Sequence, residues 1–176
     1  GRPGEAVAVA GARQTEDPAR RFNTTTIHYD TNKPWKDARL EIRRLLGLDQ
    51  GAIREAMKLT YLYRQKNDIN DGHEFPMYLF MGGEYAWALV EYSKWLPTQR
   101  GKGPTHAYLC YASCYAHFGE YQKALQVLNT AMADLQKPPW HIAARADIED
   151  AYGDLYARMG NTEEAKKHYA EAIRLY

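Results

Sequence analysis

The chain of 176 residues is poor in the features of disulfide-rich, nucleic-acid-binding and membrane-spanning proteins. Its two cysteines, Cys110 and Cys114, lie four positions apart, which is too few and too local for a disulfide framework. Lysine and arginine (23 residues) nearly cancel aspartate and glutamate (22 residues), so a general attraction to phosphate backbones is not expected. An apolar stretch near the start, residues 6–10, is far shorter than the roughly 20 residues of a membrane span. We therefore expect neither a nucleic-acid partner nor a direct membrane span.

Motifs of the common enzyme classes are missing too. The chain has only two serines, Ser93 and Ser113, and it contains neither the phosphate-loop pattern GxxxxGK(S/T) nor the zinc-protease pattern HExxH. We expect a non-enzymatic protein without a cofactor. The first residue is glycine rather than methionine, so an upstream signal peptide or tether can have been removed. The compartment of this soluble chain, cytoplasm or periplasm, therefore stays open.

The sequence does contain a repeat. Gly47, Gly83, Gly119 and Gly160 are 36, 36 and 41 positions apart. Each glycine is followed five positions later by an alanine, namely Ala52, Ala88, Ala124 and Ala165. A period in the thirties is typical of stacked helical hairpins, because each unit needs the same tight turn and a small residue where its two helices touch.

The change in amino-acid composition along the chain predicts a leader followed by helical hairpins. Residues 1–33 carry glycine, proline and scattered charges without a helical period, which indicates an extended or flexible leader with no core of its own. Within the leader, residues 22–29 are β-prone but have no partner strand, so we hypothesise that they fold back and occupy the groove of the helical domain. Residues 34–176 form that domain, with hairpins at about 34–64, 74–96, 105–136 and 139–176.

Local patterns predict several helix ends and faces. In the first helix, Trp35, Ala38, Ile42 and Leu45 are expected to face inward, and Gly47 is expected to end the helix. Asn161 is expected to cap the last helix, with Glu164 as its reciprocal partner in a capping box.

Tyrosines divide into two groups. Those at inter-helix packing positions of the last two hairpins are expected in the core. For Tyr61, Tyr63 and Tyr78 an alternative stays open, because together with Phe75 and neighbouring apolar residues they can form an exposed docking patch.

Two units carry the pattern of a known family. Counting Gly119 as position 15 of a 34-residue unit places small, aromatic or apolar residues at positions 8, 11, 20, 24 and 27, and counting Gly160 gives the same pattern. The residues are Ala112, Tyr115, Ala124, Leu128 and Ala131 in the first of these units, and Gly153, Tyr156, Ala165, Tyr169 and Ala172 in the second. The chain from about 34 to 176 thereby resembles the tetratricopeptide repeat family, although the Gly83 unit is degenerate and the Gly47 unit keeps little of the pattern.

The resemblance implies a fold and a binding face. The fold would be an all-α, right-handed α-solenoid of about three repeat-like hairpins plus one degenerate N-terminal hairpin. Its concave groove would be lined by the first helix of each hairpin. By position alone, the implied contact residues are His106, Leu109, Ser113, Ala116 and His117 in the third hairpin and Asp147, Asp150, Asp154, Ala157 and Arg158 in the last.

Trp140 is a further candidate contact. It follows Pro138 and Pro139 and lies at the start of the last hairpin, whose first helix we expect to run from about 139 to 159. Two interpretations stay open: the indole ring packs against the preceding loop, or it lines a partner site, since aromatic residues are common interface anchors.

Three functions compete at this stage. The preferred one is a protein-interaction module, acting as an adaptor, scaffold or chaperone that binds a protein or peptide segment on the concave face. The second is a structural protein that self-assembles into homo-oligomers. The third is a metal or haem assembly factor, because His106, Cys110, Cys114 and His117 lie along one side of one predicted helix; a straight helix, however, spreads four such ligands over about 16 Å, too far for one ion.

Overall fold

The computed structural model of the chain describes residue 22 and residues 32–48, 50–65, 73–99, 101–134 and 142–176. Every regular element in these ranges is a helix, which confirms that this part of the protein is all-helical. The α-helices are α1 (Trp35–Leu48), α2 (Ile53–Gln65), α3 (Glu74–Met81), α4 (Tyr85–Trp95), α5 (Thr105–His117), α6 (Tyr121–Asp134), α7 (Ile142–Arg158) and α8 (Thr162–Leu175). None of the described helices is both long and apolar enough to cross a membrane.

The chain divides into two compact units, one holding residues 4–91 and the other holding residues 92–176. In the first unit, α2 contacts both α1 and α3. In the second unit, α5 packs against α6 and α7 packs against α8, while α6 and α5 both contact α7. The helices therefore pack in pairs. The stacking of all pairs into a right-handed solenoid stays a prediction.

Glycine in a left-handed backbone conformation ends three of the helices. Gly83, Gly119 and Gly160 have φ values of 82°, 74° and 79°, a region that costs a residue with a Cβ atom about 1–2 kcal/mol. The turns predicted at these glycines are thus confirmed. Gly47 differs, because it lies inside α1, which continues to Leu48, and its φ is not positive. The prediction that Gly47 ends the first helix is wrong.

Two predicted features of the helices also need correction. Ala38 and Ile42 of α1 are buried as expected, but Leu45 has 39% of its surface exposed. At the start of α8, the side chain of Asn161 accepts a hydrogen bond from the backbone N–H of Glu164 at 3.3 Å, which confirms the cap. The reciprocal half of the capping box does not form, because the Glu164 carboxylate accepts from Lys167 and the Asn161 N–H donates to a backbone carbonyl.

The core of the first unit is aromatic. Tyr61, Tyr63, Phe75 and Tyr78 are all at least 92% buried, so the alternative of an exposed patch at these residues is wrong. Phe22 is completely buried and contacts the same cluster. The leader was expected to have no core of its own, and Phe22 is buried in the core formed by the helices.

Candidate functional site

A cleft of about 350 Å³ opens between helices α5 and α7 in the second unit. We call it the α5–α7 cleft. Eleven residues line it: Leu109, Ala112, Ser113 and Ala116 from α5, Leu128 from α6, Ala151, Asp154, Leu155, Ala157 and Arg158 from α7, and Tyr169 from α8. A cleft of this size accommodates one or two side chains of a bound segment, since drug-sized ligands occupy about 300–1,000 Å³.

The floor of the cleft is formed by small and aliphatic side chains. Four alanines leave open space between α5 and α7: Ala112 and Ala116, one turn apart on α5, and Ala151 and Ala157, six positions apart on α7. Leu128 and Leu155 are buried beneath them. Polar groups stand at the rim, where Ser113 and Arg158 are exposed. The accessible surface of the cleft is more polar than apolar, so the cleft is less apolar than a typical ligand pocket.

The structure brings six of the predicted contact residues together. The α5–α7 cleft is lined by Leu109, Ser113, Ala116, Asp154, Ala157 and Arg158. The other four described candidates lie on the same two helices and are exposed, but they do not line the cleft: His106, His117, Asp147 and Asp150. Trp140 lies outside the described residues, so both interpretations of its role stay predictions.

Tyr169 completes one side of the cleft through two contacts with α7. Its hydroxyl donates a hydrogen bond to Oδ1 of Asp154 at 2.5 Å, and this bond raises the pKa of Tyr169 to about 12. Its ring lies against Gly153, where a Cβ atom would come within 2.5 Å of two ring carbons. The absence of a side chain at Gly153 therefore determines where the Tyr169 ring lies and how the Asp154 carboxylate is held.

An acidic edge runs along α7 beside the cleft. Asp147, Asp150 and Asp154 are exposed and follow one another at spacings of three and four residues, so they share a face of the helix. Partial burial, together with the charges of Asp154 and Asp147, raises the pKa of Asp150. Asp147 accepts a hydrogen bond from the hydroxyl of Tyr176 at 2.6 Å, whereas Asp150 has no hydrogen-bond or ion-pair partner among the described residues. The edge favours cationic groups in a bound segment.

The cysteine and histidine residues of α5 do not assemble into a metal site. The Sγ atom of Cys110 lies 3.5 Å from Nδ1 of His106. Cys114 is fully buried, and His117 is exposed and packs edge-on against Phe118. Within the described ranges, no three histidine, cysteine or acidic residues are placed to share an ion. Burial raises the pKa of Cys110 to about 11 and that of Cys114 further still, so both thiols stay protonated near neutral pH.

Sequence reasoning missed the contributions of α6 and α8 to the cleft. Leu128 and Tyr169 were expected only as packing residues of their hairpins, and the hydrogen bond of Tyr176 to α7 was not expected. One feature of the sequence pointed to this contact: Gly153 occupies the position where the repeat needs a small residue. A small residue indicates that two helices approach closely, but it does not identify the Tyr169 ring as the group that fills the space.

Comparison of the chain with protein-family models, curated proteins and solved structures gave no significant match. The resemblance to tetratricopeptide repeats therefore rests on the residues of the chain alone.

Proposed function

We propose that the protein is a non-enzymatic interaction module, of the adaptor, scaffold or chaperone kind, that binds a polypeptide segment in the α5–α7 cleft. The observation that carries the proposal is the cleft itself, in which Leu109, Ser113, Asp154 and Arg158 meet over an apolar floor. Helical hairpins of the tetratricopeptide kind hold other chains on the first helix of each pair, and α5 and α7 are the first helices of the last two hairpins. We therefore also propose that residues 34–176 are such a repeat domain.

The composition of the cleft suggests what the segment looks like. An aliphatic or aromatic side chain fits the floor formed by the alanines and leucines, because burial of apolar surface drives association. Lysine or arginine residues of the same segment pair with the acidic edge of Asp147, Asp150 and Asp154. Arg158, at the rim, is available for a carboxylate or a backbone carbonyl.

A substitution that fills the cleft tests the proposal. Ala157 is exposed and lines the cleft, so Ala157→Trp places an indole ring where the segment would bind. Ala133 is an exposed alanine of α6 that does not line the cleft, and Ala133→Trp is the matched control. Partners captured from a native extract by the wild-type chain are identified by mass spectrometry, and the affinity of each is then measured for all three proteins.

The expected result is a loss of at least about tenfold in affinity for Ala157→Trp and no change for Ala133→Trp, since hot-spot contacts are commonly worth 2 kcal/mol or more. A triple Asp147→Ala, Asp150→Ala, Asp154→Ala variant is expected to lower affinity in a salt-dependent way. Partners that bind the wild-type and Ala157→Trp proteins equally well would contradict the proposed site.

Self-association is a second candidate function, favoured by exposed apolar side chains at the end of the last hairpin. Ile173 and Tyr176 have 76% and 71% of their surfaces exposed. Light scattering across a concentration series tests it: a self-assembling chain grows in mass with concentration, and Ile173→Lys abolishes that growth. A strict monomer at all concentrations rules it out.

A further inference from the structure

Another opening, of about 440 Å³, lies between α5, α6 and the segment that precedes α5. We call it the α5–α6 cavity. Its walls include Leu96 and Pro97 from that segment, Tyr108 and Tyr111 from α5, and Val127 from α6. All of its lining residues belong to the unit of residues 92–176, and none of them lines the α5–α7 cleft. The cavity is therefore a separate site.

The α5–α6 cavity has the composition of a small-molecule site. Its accessible surface is more apolar than polar, which is the reverse of the α5–α7 cleft. Pockets for small molecules are mostly apolar, contain a few polar groups that orient the ligand, and have volumes of about 300–1,000 Å³. The cavity meets these conditions, so the polar groups in its wall determine which molecule it suits.

One carboxylate, that of Asp134, lies in this mostly apolar wall. Its Oδ2 atom accepts a hydrogen bond from the hydroxyl of Tyr108 at 2.9 Å. Tyr108 is buried, and burial together with this bond raises the pKa of Tyr108 to about 12. The hydroxyl therefore stays protonated near neutral pH and donates to Asp134, which holds the carboxylate at the cavity.

The charge of Asp134 has no cationic partner among the described residues. Asp134 is half-buried and lies in the last turn of α6, which holds no basic side chain. The dipole of a helix also favours a positive charge at this end. Gly101 lies beside the carboxylate, where a Cβ atom would be 3.4 Å from Oδ1. The lack of a side chain at Gly101 therefore leaves space next to the oxygen that Tyr108 does not use.

These features together suit an organic cation. The carboxylate attracts a positive charge, tyrosine rings interact favourably with cations, and the apolar walls bury a carbon skeleton. We propose that the α5–α6 cavity binds a small organic amine, with its ammonium group at Asp134 and its aliphatic or aromatic body against Leu96 and Val127. The occupant is a free molecule, because a single lysine side chain fills only part of a 440 Å³ cavity. This proposal does not rest on the proposed function of the cleft.

The test compares two ligands that differ in charge. Phenylbutylamine is a cation at neutral pH, and phenylbutanol is a neutral molecule with the same carbon skeleton. Their affinities for the wild-type and Asp134→Asn proteins are measured by titration calorimetry. Asp37→Asn removes the same charge from an exposed residue of α1 and is the matched control. A capped glycine-lysine-glycine peptide distinguishes a free amine from a lysine side chain.

The amine is expected to bind the wild-type protein at least about tenfold more tightly than the alcohol, since hydrogen bonds between charged groups are stronger than neutral ones. The two ligands are expected to bind Asp134→Asn equally, because the amide keeps an acceptor for Tyr108 and loses the charge. Asp37→Asn is expected to change neither affinity. The lysine peptide is expected to bind the wild type at least about tenfold more weakly than the amine, because it has no aromatic body to bury.

Methyl NMR of the wild-type protein locates the bound amine without any variant. Leu96 and Val127 line the cavity, whereas Leu109 and Leu155 line the α5–α7 cleft. The amine is expected to shift the methyl signals of the first pair and not those of the second. This contrast separates the cavity from the acidic edge of the cleft, which also attracts cations. The cavity proposal can therefore fail while the proposed function of the cleft stands.

Any one of five results would overturn the proposal. The amine does not bind the wild type measurably, or it binds no more tightly than the alcohol. The preference for the amine persists in Asp134→Asn. The lysine peptide binds as tightly as the amine. The amine shifts only the methyl signals of the cleft.

Discussion

At the scale of single residues, the shape of the α5–α7 cleft depends on the lack of a side chain at Gly153. Gly153 has no Cβ, and the ring of Tyr169 takes its place at a distance where no real Cβ atom would fit. The same ring carries the hydroxyl that donates to Asp154. The small residue in α7 and the carboxylate at the edge of the cleft are thus coupled through a single tyrosine.

Gly153→Ala is expected to destabilise the protein by about 2 kcal/mol, because the added methyl group displaces the Tyr169 ring from a packed interface. The displacement also breaks the bond to Asp154, so the pKa of Tyr169, about 12 in the wild type, is expected to fall toward its ordinary value of 10.0. Urea denaturation measures the first effect, and ultraviolet titration of the tyrosines measures the second.

Gly47→Ala serves as the matched control. Gly47 also lies inside a helix, but among the described residues no atom beyond its chain neighbours and its own helix backbone lies within 4 Å of the place where its Cβ would be. Alanine is the better helix former, so this variant is expected to gain about 0.5 kcal/mol. Equal stability changes in the two variants would contradict the role given to Gly153.

At the scale of elements, a buried carboxylate connects α3 to α1. The side chain of Glu74, in the first turn of α3, is fully buried. Its Oε1 atom accepts hydrogen bonds from Nε of Arg39 at 2.8 Å and from Nη2 of Arg43 at 3.0 Å. Burial alone would raise the pKa of Glu74, but Tyr78 and the two arginines hold it below its ordinary value. The helix N-terminus adds to this stabilisation of the charge.

Glu74→Gln is expected to cost about 2 kcal/mol at pH 7, because charge-assisted bonds to a buried carboxylate are lost while both arginines remain partly in water. A lowered pKa means that the stabilisation is complete above the unfolded value near 4.5 and is lost as pH falls through the folded value. The difference between wild type and variant should therefore shrink toward acidic pH, as followed by urea denaturation between pH 7 and pH 3.

The exposed pair of Lys33 and Glu41 provides the comparison for this prediction. Its two groups are 2.8 Å apart, but the side chain of Glu41 is 55% exposed. Glu41→Gln is expected to change the free energy of unfolding by less than about 1 kcal/mol. A Glu74→Gln protein that behaves like Glu41→Gln would show that α3 does not depend on the buried charge.

Helix ends and close approaches could be predicted from the sequence to different extents. The turns at Gly83, Gly119 and Gly160 are predictable because a left-handed conformation is a local requirement that glycine meets. The exposure of Leu45 could not be predicted, because it depends on what covers α1 and not on the helical period. A fold-back of residues 22–29 was hypothesised, but the rings that Phe22 contacts could not be predicted for the same reason, because they are 39 to 65 positions away along the chain.

The candidate site, too, could be predicted from the sequence only in part. The positions on α5 and α7 followed from the repeat resemblance, and the alanines predict close helix packing. Which of those positions would meet in a cleft depends on how α6 and α8 pack beneath them. Leu128 and Tyr169 enter the cleft from those helices. Contacts across hairpins are set by three-dimensional packing, and a single sequence contains only indirect information about them.

At the scale of the whole molecule, the two compact units differ in what they contain. Residues 92–176 contain the α5–α7 cleft with its acidic edge, and residues 4–91 contain an aromatic core that includes Phe22. The proposal that the protein is an interaction module therefore depends on the cleft.

Site-specific photo-crosslinking tests that claim most directly. A photoreactive amino acid replaces Ser113, which lines the cleft, or Gln126, another exposed residue, on α6, that does not. Each protein is irradiated in native extract, and crosslinked peptides are identified by mass spectrometry. The account predicts that position 113 captures one recurring segment, rich in basic residues, and that excess wild-type protein suppresses the capture. The same products at both positions, or none at position 113, would contradict it.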